Sequence, residues 1–219
     1  MTASPPPASP PPASHPAAAA AAAAAAPRVA TVDRQTAETR IHCRLDLDGS
    51  GKAEVATGLG FLDHMLTALA RHGRLDLELR CTGDLHIDDH HSVEDCALVL
   101  GEALATALGD KRGIARFGSA HAPLDEALAR AVIDLSGRPW PAIDLGLRRE
   151  RLGDVATENL THFLVSLATA GRLNLHVDVL KGDNDHHRVE AAFKATALAL
   201  RQAVARSGPD EVPSTKGSL

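Results

Sequence analysis

The sequence predicts an α+β fold made of two similar halves, each running strand-strand-helix-strand-helix. Three observations carry this. Segments that alternate apolar and polar residues, and segments with apolar residues at helical spacing, follow one another in the same order twice. The segment His90-His91-Ser92-Val93-Glu94 recurs as His186-His187-Arg188-Val189-Glu190. A further histidine precedes each copy at a like distance, His64 and His162, each on a stretch with helical spacing.

Taken in order, Arg40–Leu47 alternates as Ile41, Cys43, Leu45, Leu47 and predicts a strand. Asp48-Gly49-Ser50-Gly51 is a turn, and Lys52–Ala56 is expected to return as the second strand of a hairpin that ends at Gly58–Gly60. Asp46-Leu47-Asp48-Gly49 superficially matches a phosphatase nucleophile loop, but no apolar parallel strand precedes it. Phe61, Leu62, Met65, Leu66 and Leu69 mark a helix, Arg74–Cys81 a strand, and Val93, Ala97, Leu100 and Leu104 a helix reaching about Leu108. The second half repeats the order, with strands at Ile114–Ala120, Leu128–Asp134 and Ala142–Leu147 and a helix at Glu158–Ala170. A strand at Arg172–Leu180 and a last helix to about Arg206 follow. Leu124–Ala131 taken alone would pass for a helix. The halves are expected at residues 28–111 and 112–206, with a mobile segment at 207–219.

Composition narrows the function. With 23 basic and 28 acidic residues and a net charge of −5, the chain has no basic block of the kind that binds nucleic acid. Four Phe, one Trp and no Tyr leave the core to Ala, Leu and Val. Cys43, Cys81 and Cys96 form no Cys-x-x-Cys pair and read as reduced core thiols of a cytosolic protein. Residues 1–27 are almost wholly Pro, Ala and Ser and predict a disordered tail. They lack the basic and strongly apolar regions of a signal peptide. No stretch is long and apolar enough to span a membrane, so the expected location is the cytoplasm.

The repeated motif points to metal. On a helix, residues four apart share a face while neighbours diverge by about 100°. His90 with Glu94, and His186 with Glu190, can therefore each reach one ion, while His91 and His187 point elsewhere. Imidazole with carboxylate suits zinc, manganese, iron, cobalt or nickel. Six histidines and two glutamates are enough for two sites of three imidazoles and one carboxylate. Each site can combine one His–Glu pair, the odd histidine of the other copy and one of His64 or His162. Two octahedral positions then stay open, which favours catalysis over a purely structural ion. A two-metal hydrolase would want bridging carboxylates, and a metal-clamped storage shell would not need cationic residues suited to phosphate.

Further landmarks are Gly60-Phe61-Leu62-Asp63-His64-Met65-Leu66, Ile87 through Asp95, Arg116-Phe117-Gly118, Asp134-Leu135-Ser136-Gly137-Arg138-Pro139, Asn184 through Lys194 and Pro213-Ser214-Thr215-Lys216-Gly217. With these, the chain from about Arg28 to Leu219 resembles the imidazoleglycerol-phosphate dehydratases of histidine biosynthesis. Ser92 and Leu164 depart from the usual Thr and Phe. The resemblance implies a helix bundle between two mixed sheets and two manganese ions per active site. One ion would be held by His64, His91, His186 and Glu190, the other by His90, Glu94, His162 and His187. It also implies a homo-oligomer of 24 subunits built from trimers, with active sites shared between subunits, and no nucleic-acid or membrane partner.

The implied reaction removes water from a glycerol phosphate that carries an imidazole. No carbonyl is present to take up the electrons of the broken C–H bond, so the metal-held ring would act as the sink, through a diazafulvene-like species. The resemblance places Glu38 as acid/base candidate, with Glu190, His64 and His91 at the reacting centre. Arg116, Arg138, Lys194, Ser214, Thr215 and Lys216 would bind phosphate or substrate. From spacing alone, Lys194 is an ordinary helix partner of Glu190, four residues before it.

Overall fold

A computed structural model describes residues 27–207, 210–217 and 219; the expected tail at 1–27 lies, except for Pro27, outside the described residues. The chain is α+β, with two four-stranded mixed sheets of matching topology and four long helices between them.

The first half contains β1 (Val29–Gln35), β2 (Thr39–Asp46), β3 (Ala53–Ala56), α1 (Gly60–Gly73), β4 (Asp76–Gly83) and α2 (His90–Leu108). The second contains β5 (Phe117–Leu124), β6 (Ala127–Asp134), β7 (Trp140–Asp144), a two-residue hairpin of β8 (Arg151–Leu152) and β9 (Val155–Ala156), then α3 (Thr157–Ala170), β10 (Asn174–Lys181) and α4 (Asp185–Ala203). Strand order is β1-β2-β4-β3 in one sheet and β5-β6-β10-β7 in the other. In each sheet the strand after the first helix inserts centrally. It pairs antiparallel with the second strand and parallel with the third.

This corrects one expectation. Lys52–Ala56 does not return along Arg40–Leu47, because β4 lies between β2 and β3. The turn is shaped instead by Asp76 at the start of β4. Its Oδ1 accepts the backbone N–H groups of Ser50, Gly51 and Lys52 at 2.7, 3.0 and 2.9 Å. A long-range carboxylate thus aims the chain past its neighbour, and the local Asp-Gly-Ser-Gly signal could not reveal it. In the second half the strand expected at Leu128–Asp134 stands as β6, and the helical look of Leu124–Ala131 is not realised. Leu124–Ala131 is neither helix nor plain strand but the β5–β6 hairpin, turned at Asp125 with φ 47°.

The scarcity of aromatics fixes how the layers pack. Ala127, Ala129 and Ala131 line the inner face of β6, and Ala191, Ala192, Ala195, Ala199 and Ala203 are buried along α4, which packs on β5 and β6. Small side chains bring the helix close to the sheet. A Cβ on Gly118 would stand 1.9 Å from the Ala199 carbonyl oxygen. Phe163 of α3 and Phe193 of α4 meet at the centre with ring centroids 5.6 Å apart. Leu62, Met65 and Leu66 of α1 are fully buried, each contributing about 1.5–3 kcal/mol on burial. Helix α1 packs against α4, and α2 against α3. Those two pairings build the sites. Among the described residues no helix is long and apolar enough to cross a membrane.

Candidate metal centre

The histidine-bearing helix starts are fixed by side chains distant in sequence. Asp154, in the β8–β9 turn of the second half, accepts the Gly60 N–H at 2.7 Å and the Phe61 N–H at 3.3 Å, capping α1. Asn184 caps α4 by accepting the His186 N–H at 2.9 Å. Asp88 accepts the His90 N–H at 2.8 Å at the start of α2. Buried Asp89 accepts the Ala156 N–H and the Asn159 side-chain amide, so α2 and α3 begin side by side. In these positions helical periodicity turns His90 with Glu94, and His186 with Glu190, to a shared face.

Two clusters of metal-ligand type result. His64, His186 and Glu190 offer ligand atoms within 4.8 Å of one another, and so do His90, Glu94 and His162. In the first, His64 Nε2 and His186 Nε2 lie 3.1 and 3.2 Å from Glu190 Oε2. In the second, His162 Nε2 is 3.0 Å and His90 Nε2 3.7 Å from Glu94. His90 and His162 stack with centroids 5.1 Å apart. The donor set, two imidazole nitrogens and a carboxylate converging at ion-sized spacing, fits a borderline transition-metal ion.

Electrostatics prepare the first cluster for a cation. Burial disfavours charge on Glu190. Hydrogen bonds from Lys194 and His64 together outweigh it and hold the carboxyl at about 2. The Lys194 contact is 2.6 Å long, so the spacing-based reading of that pair as a helix ion pair holds.

His91 and His187 belong to neither cluster within one chain. Each ring is turned across its neighbour, at 79° for His90 and His91 and 86° for His186 and His187. His91 Nδ1 lies 3.1 Å from Asp84 Oδ2, and its Nε2 3.6 Å from Glu38. His187 Nδ1 lies 2.7 Å from Glu126 Oε2, with Nε2 3.9 Å from Asp125. Hydrogen bonds to Asp84 and to Glu126, respectively, raise the two imidazole pKa values, and the Glu126 carboxyl is held at about 2, first by His187. A carboxylate on Nδ1 orients the ring, the arrangement common behind metal-bound histidines, and leaves Nε2 with only the longer Glu38 and Asp125 contacts. Asn159 Oδ1 holds His90 Nδ1 in the same way at 3.0 Å. Asp84, Glu126, Asp154 and Asn159 were not singled out by the sequence, because their partners lie far along the chain and no local pattern marks them; Asp89 falls within the Ile87–Asp95 landmark, but its bonds to Ala156 and Asn159 leave no trace there.

The remaining expected residues gather elsewhere. The Arg116 guanidinium clasps Asp134 at 2.7 and 3.1 Å and donates to the Pro213 carbonyl at 2.9 Å. With Ser214 and Thr215 it lines a groove of about 480 Å³. Ser214 Oγ accepts the Lys216 N–H. The Lys216 side chain is exposed, as is that of Arg138 in the turn after β6. Glu38 is exposed beside His91. Among the described residues no hydrogen bond or ion pair joins Arg116, Arg138 or the 213–217 segment to either cluster.

Comparison with known proteins agrees with this geometry. Residues 57–200 match the family model of imidazoleglycerol-phosphate dehydratase. A Candida glabrata protein of that name is 56% identical over 209 residues, covering 87% of this chain and all of the relative. One from Phytophthora nicotianae is 59% identical over 192 residues; the match covers 88% of this chain but 42% of that longer protein. The solved structure of the Pyrococcus furiosus enzyme superposes with a TM-score of 0.74 at 38% identity, over 86% of this chain and all of that one. The Staphylococcus aureus enzyme gives 0.73 at 34%, over 82% and 99%. Matching over most of its length in sequence and in fold, this chain belongs to the imidazoleglycerol-phosphate dehydratase family of hydro-lyases.

Proposed function

We propose that the chain dehydrates imidazole glycerol phosphate to imidazole acetol phosphate, in histidine biosynthesis and in the cytoplasm, using two manganese ions per active site. The observation that carries this reading is the pair of His–His–Glu clusters, one on α1 and α4 and one on α2 and α3. Each lacks one ligand of the expected four. The rings of His91 and His187, each braced by a carboxylate, supply the complement. The first site is then His64, His186 and Glu190 with the partner subunit's His91. The second is His90, Glu94 and His162 with the partner subunit's His187. Bound manganese supplies the positive charge that holds the imidazole ring and lets it accept electrons.

The chain's own groups do the rest. Glu38, next to His91, is the acid/base candidate for moving a proton at the substrate carbon or hydroxyl. Glu190, His64 and His91 keep the ring oriented. Arg116, Arg138, Lys194, Ser214, Thr215 and Lys216 fix the phosphate and exclude water. Residues 28–219 act as one catalytic domain, with half-repeats at 28–111 and 112–206 and a substrate-binding segment at 207–219. Assembly into trimers and a 24-subunit shell brings the shared sites together. Exposed Val132, Trp140 and Leu180 on β6, β7 and β10, and Ile87 just before α2, are suited to such contacts.

The test is turnover of imidazole glycerol phosphate by metal-depleted protein with manganese added back. Activity should be absent without metal and return with it; a protein inert under both conditions would refute the assignment.

A further inference from the structure

The connection from the third strand to the first helix differs between the halves. In the first half it is residues 57–59, between β3 and α1; in the second it is residues 145–156, between β7 and α3, with the β8–β9 hairpin inside. The longer segment reaches the start of every helix that carries a cluster histidine. The Leu145 carbonyl accepts from buried Arg188, and the Arg148 and Arg149 N–H groups donate to Asp185 Oδ2 at 2.8 and 2.7 Å, which fixes α4. Asp154 caps α1, the Ala156 N–H donates to Asp89 just before α2, and Thr157 opens α3.

These bonds meet at Arg151. Its Nη2 donates to Asp89 Oδ1 at 3.2 Å and to the Asp154 carbonyl at 2.5 Å. One branch leads to the second cluster. Asp89, only 3% exposed, accepts the Asn159 amide on Oδ2, and Asn159 Oδ1 holds His90 Nδ1. Arg151 is the cation paired with that buried carboxylate, which is costly to leave uncompensated. The other branch leads to the first cluster. The Asp154 carboxylate holds the Gly60 and Phe61 N–H groups. The Phe61 ring stands edge-on to His186 and to His64, with centroids 5.2 and 6.4 Å apart. Gly153, at the hairpin tip with φ 61°, lays the turn against Phe61: a Cβ on residue 153 would stand 3.4 Å from the Phe61 Cβ.

We propose that Arg151 is a positioning residue for both metal clusters at once. It sets His90 through Asp89 and Asn159, and it sets Phe61 and His64 through Asp154. Among the described residues it bonds to no cluster histidine or glutamate. The proposal rests on the reading that the clusters hold manganese. A hydrogen-bond partner directly behind a ligand commonly changes metal affinity about 10–100-fold. Arg151 stands further back, so its effect is smaller, but both sites share it. A residue on one branch alone, such as Asn159 or the Asp154 carboxylate, can act on one site only.

The experiment is calorimetric titration of full-length, metal-depleted protein with manganese in two backgrounds, with melting temperature followed in parallel. His64→Ala leaves the second cluster to be read, and His162→Ala the first. Adding Arg151→Met should weaken manganese binding about five- to tenfold in both. Asn159→Ala should weaken it in the His64→Ala background alone, and Asp154→Ala in the His162→Ala background alone. Arg151→Lys should recover part of the loss, because one ammonium can donate to both acceptors. A merely structural arginine would lower the melting temperature and leave both affinities unmoved. That result overturns the proposal, and so does a loss confined to one background or an Arg151→Lys no better than Arg151→Met. Parent affinity in both Asn159→Ala and Asp154→Ala overturns it too, and is readable even if Arg151→Met does not fold. Absence of manganese binding in both parents would remove the metal reading and this proposal with it; bound manganese at unmoved affinity removes the proposal alone.

Discussion

Single side chains here act mostly across the chain rather than along it. Asp48 in the β2–β3 turn is an instance. Arg28 holds it through Nη2 at 2.5 Å and Nε at 3.1 Å, and Arg206, beyond α4, reaches it at 3.2 Å. The Arg28 hydrogen bond leads in lowering the carboxyl from 3.8 to about 2; burial opposes it and Arg206 adds to it. A carboxylate with a depressed folded pKa contributes stability that is fully present above its unfolded value and lost as pH falls through the folded one. Acid unfolding should therefore show a component between about pH 4 and about pH 2 that Asp48→Asn removes. Urea titrations at several pH values would check it; an unchanged pH slope in the variant would count against the linkage. Lys216 makes a second case at this scale. Its side chain is exposed and its backbone is held by Ser214 Oγ. If it closes on phosphate in a dry site, Lys216→Ala should lose on the order of 2–5 kcal/mol of transition-state stabilisation. Metal content should stay unchanged. Steady-state kinetics and elemental analysis read the two effects separately.

Elements, in turn, are set by how closely they approach. Strand β5 passes α4 so tightly that Gly118→Ala must push Cβ into the Ala199 carbonyl, a backbone group that cannot rotate away. Overpacking of this kind costs about 1–3 kcal/mol and occasionally more; the upper end is expected here and would be read as a lower urea midpoint with an unchanged slope. Gly118 appears in the sequence only as part of Arg116-Phe117-Gly118. The same contrast governs what could be read beforehand. Helices α1, α2, α3 and α4 were legible because each buries a periodic apolar face, and periodicity is local. The metal pairs His90–Glu94 and His186–Glu190 were legible for the same reason. The place of β3 was not, because Asp76 acts from 24 to 26 residues away. Nor was β1, whose outward residues Asp33, Arg34 and Gln35 dilute its alternation. Asp84 and Glu126, which brace His91 and His187, were hidden because a hydrogen bond across loops leaves no trace in spacing.

At the scale of the whole molecule, one chain holds three-quarters of each proposed site. His91 and His187 stand outside both clusters, and each ring is braced by a carboxylate at Nδ1. In the symmetric assembly proposed above, each copy would both give and receive a histidine. It follows that His64→Ala and His91→Ala disable the same site from opposite sides of an interface. Each variant alone should lose the first metal site throughout and have little activity, while His90, Glu94 and His162 still hold the second ion. Co-expressed, the two should complement. An interface at which the His91→Ala subunit supplies His64, and the His64→Ala subunit supplies His91, is whole. With random mixing, roughly a quarter of interfaces should be of that kind. Activity should rise to about that fraction of wild type, with metal content rising beside it. The measurement is turnover and elemental analysis of the co-purified mixed assembly against each parent. A His91→Ala protein with its full metal complement would mean that His91 is not a ligand at all; a mixture no more active than its parents would mean that each chain completes its own sites. His91 would then have to swing from Asp84 toward its own α1–α4 cluster, against the divergence of adjacent side chains on α2.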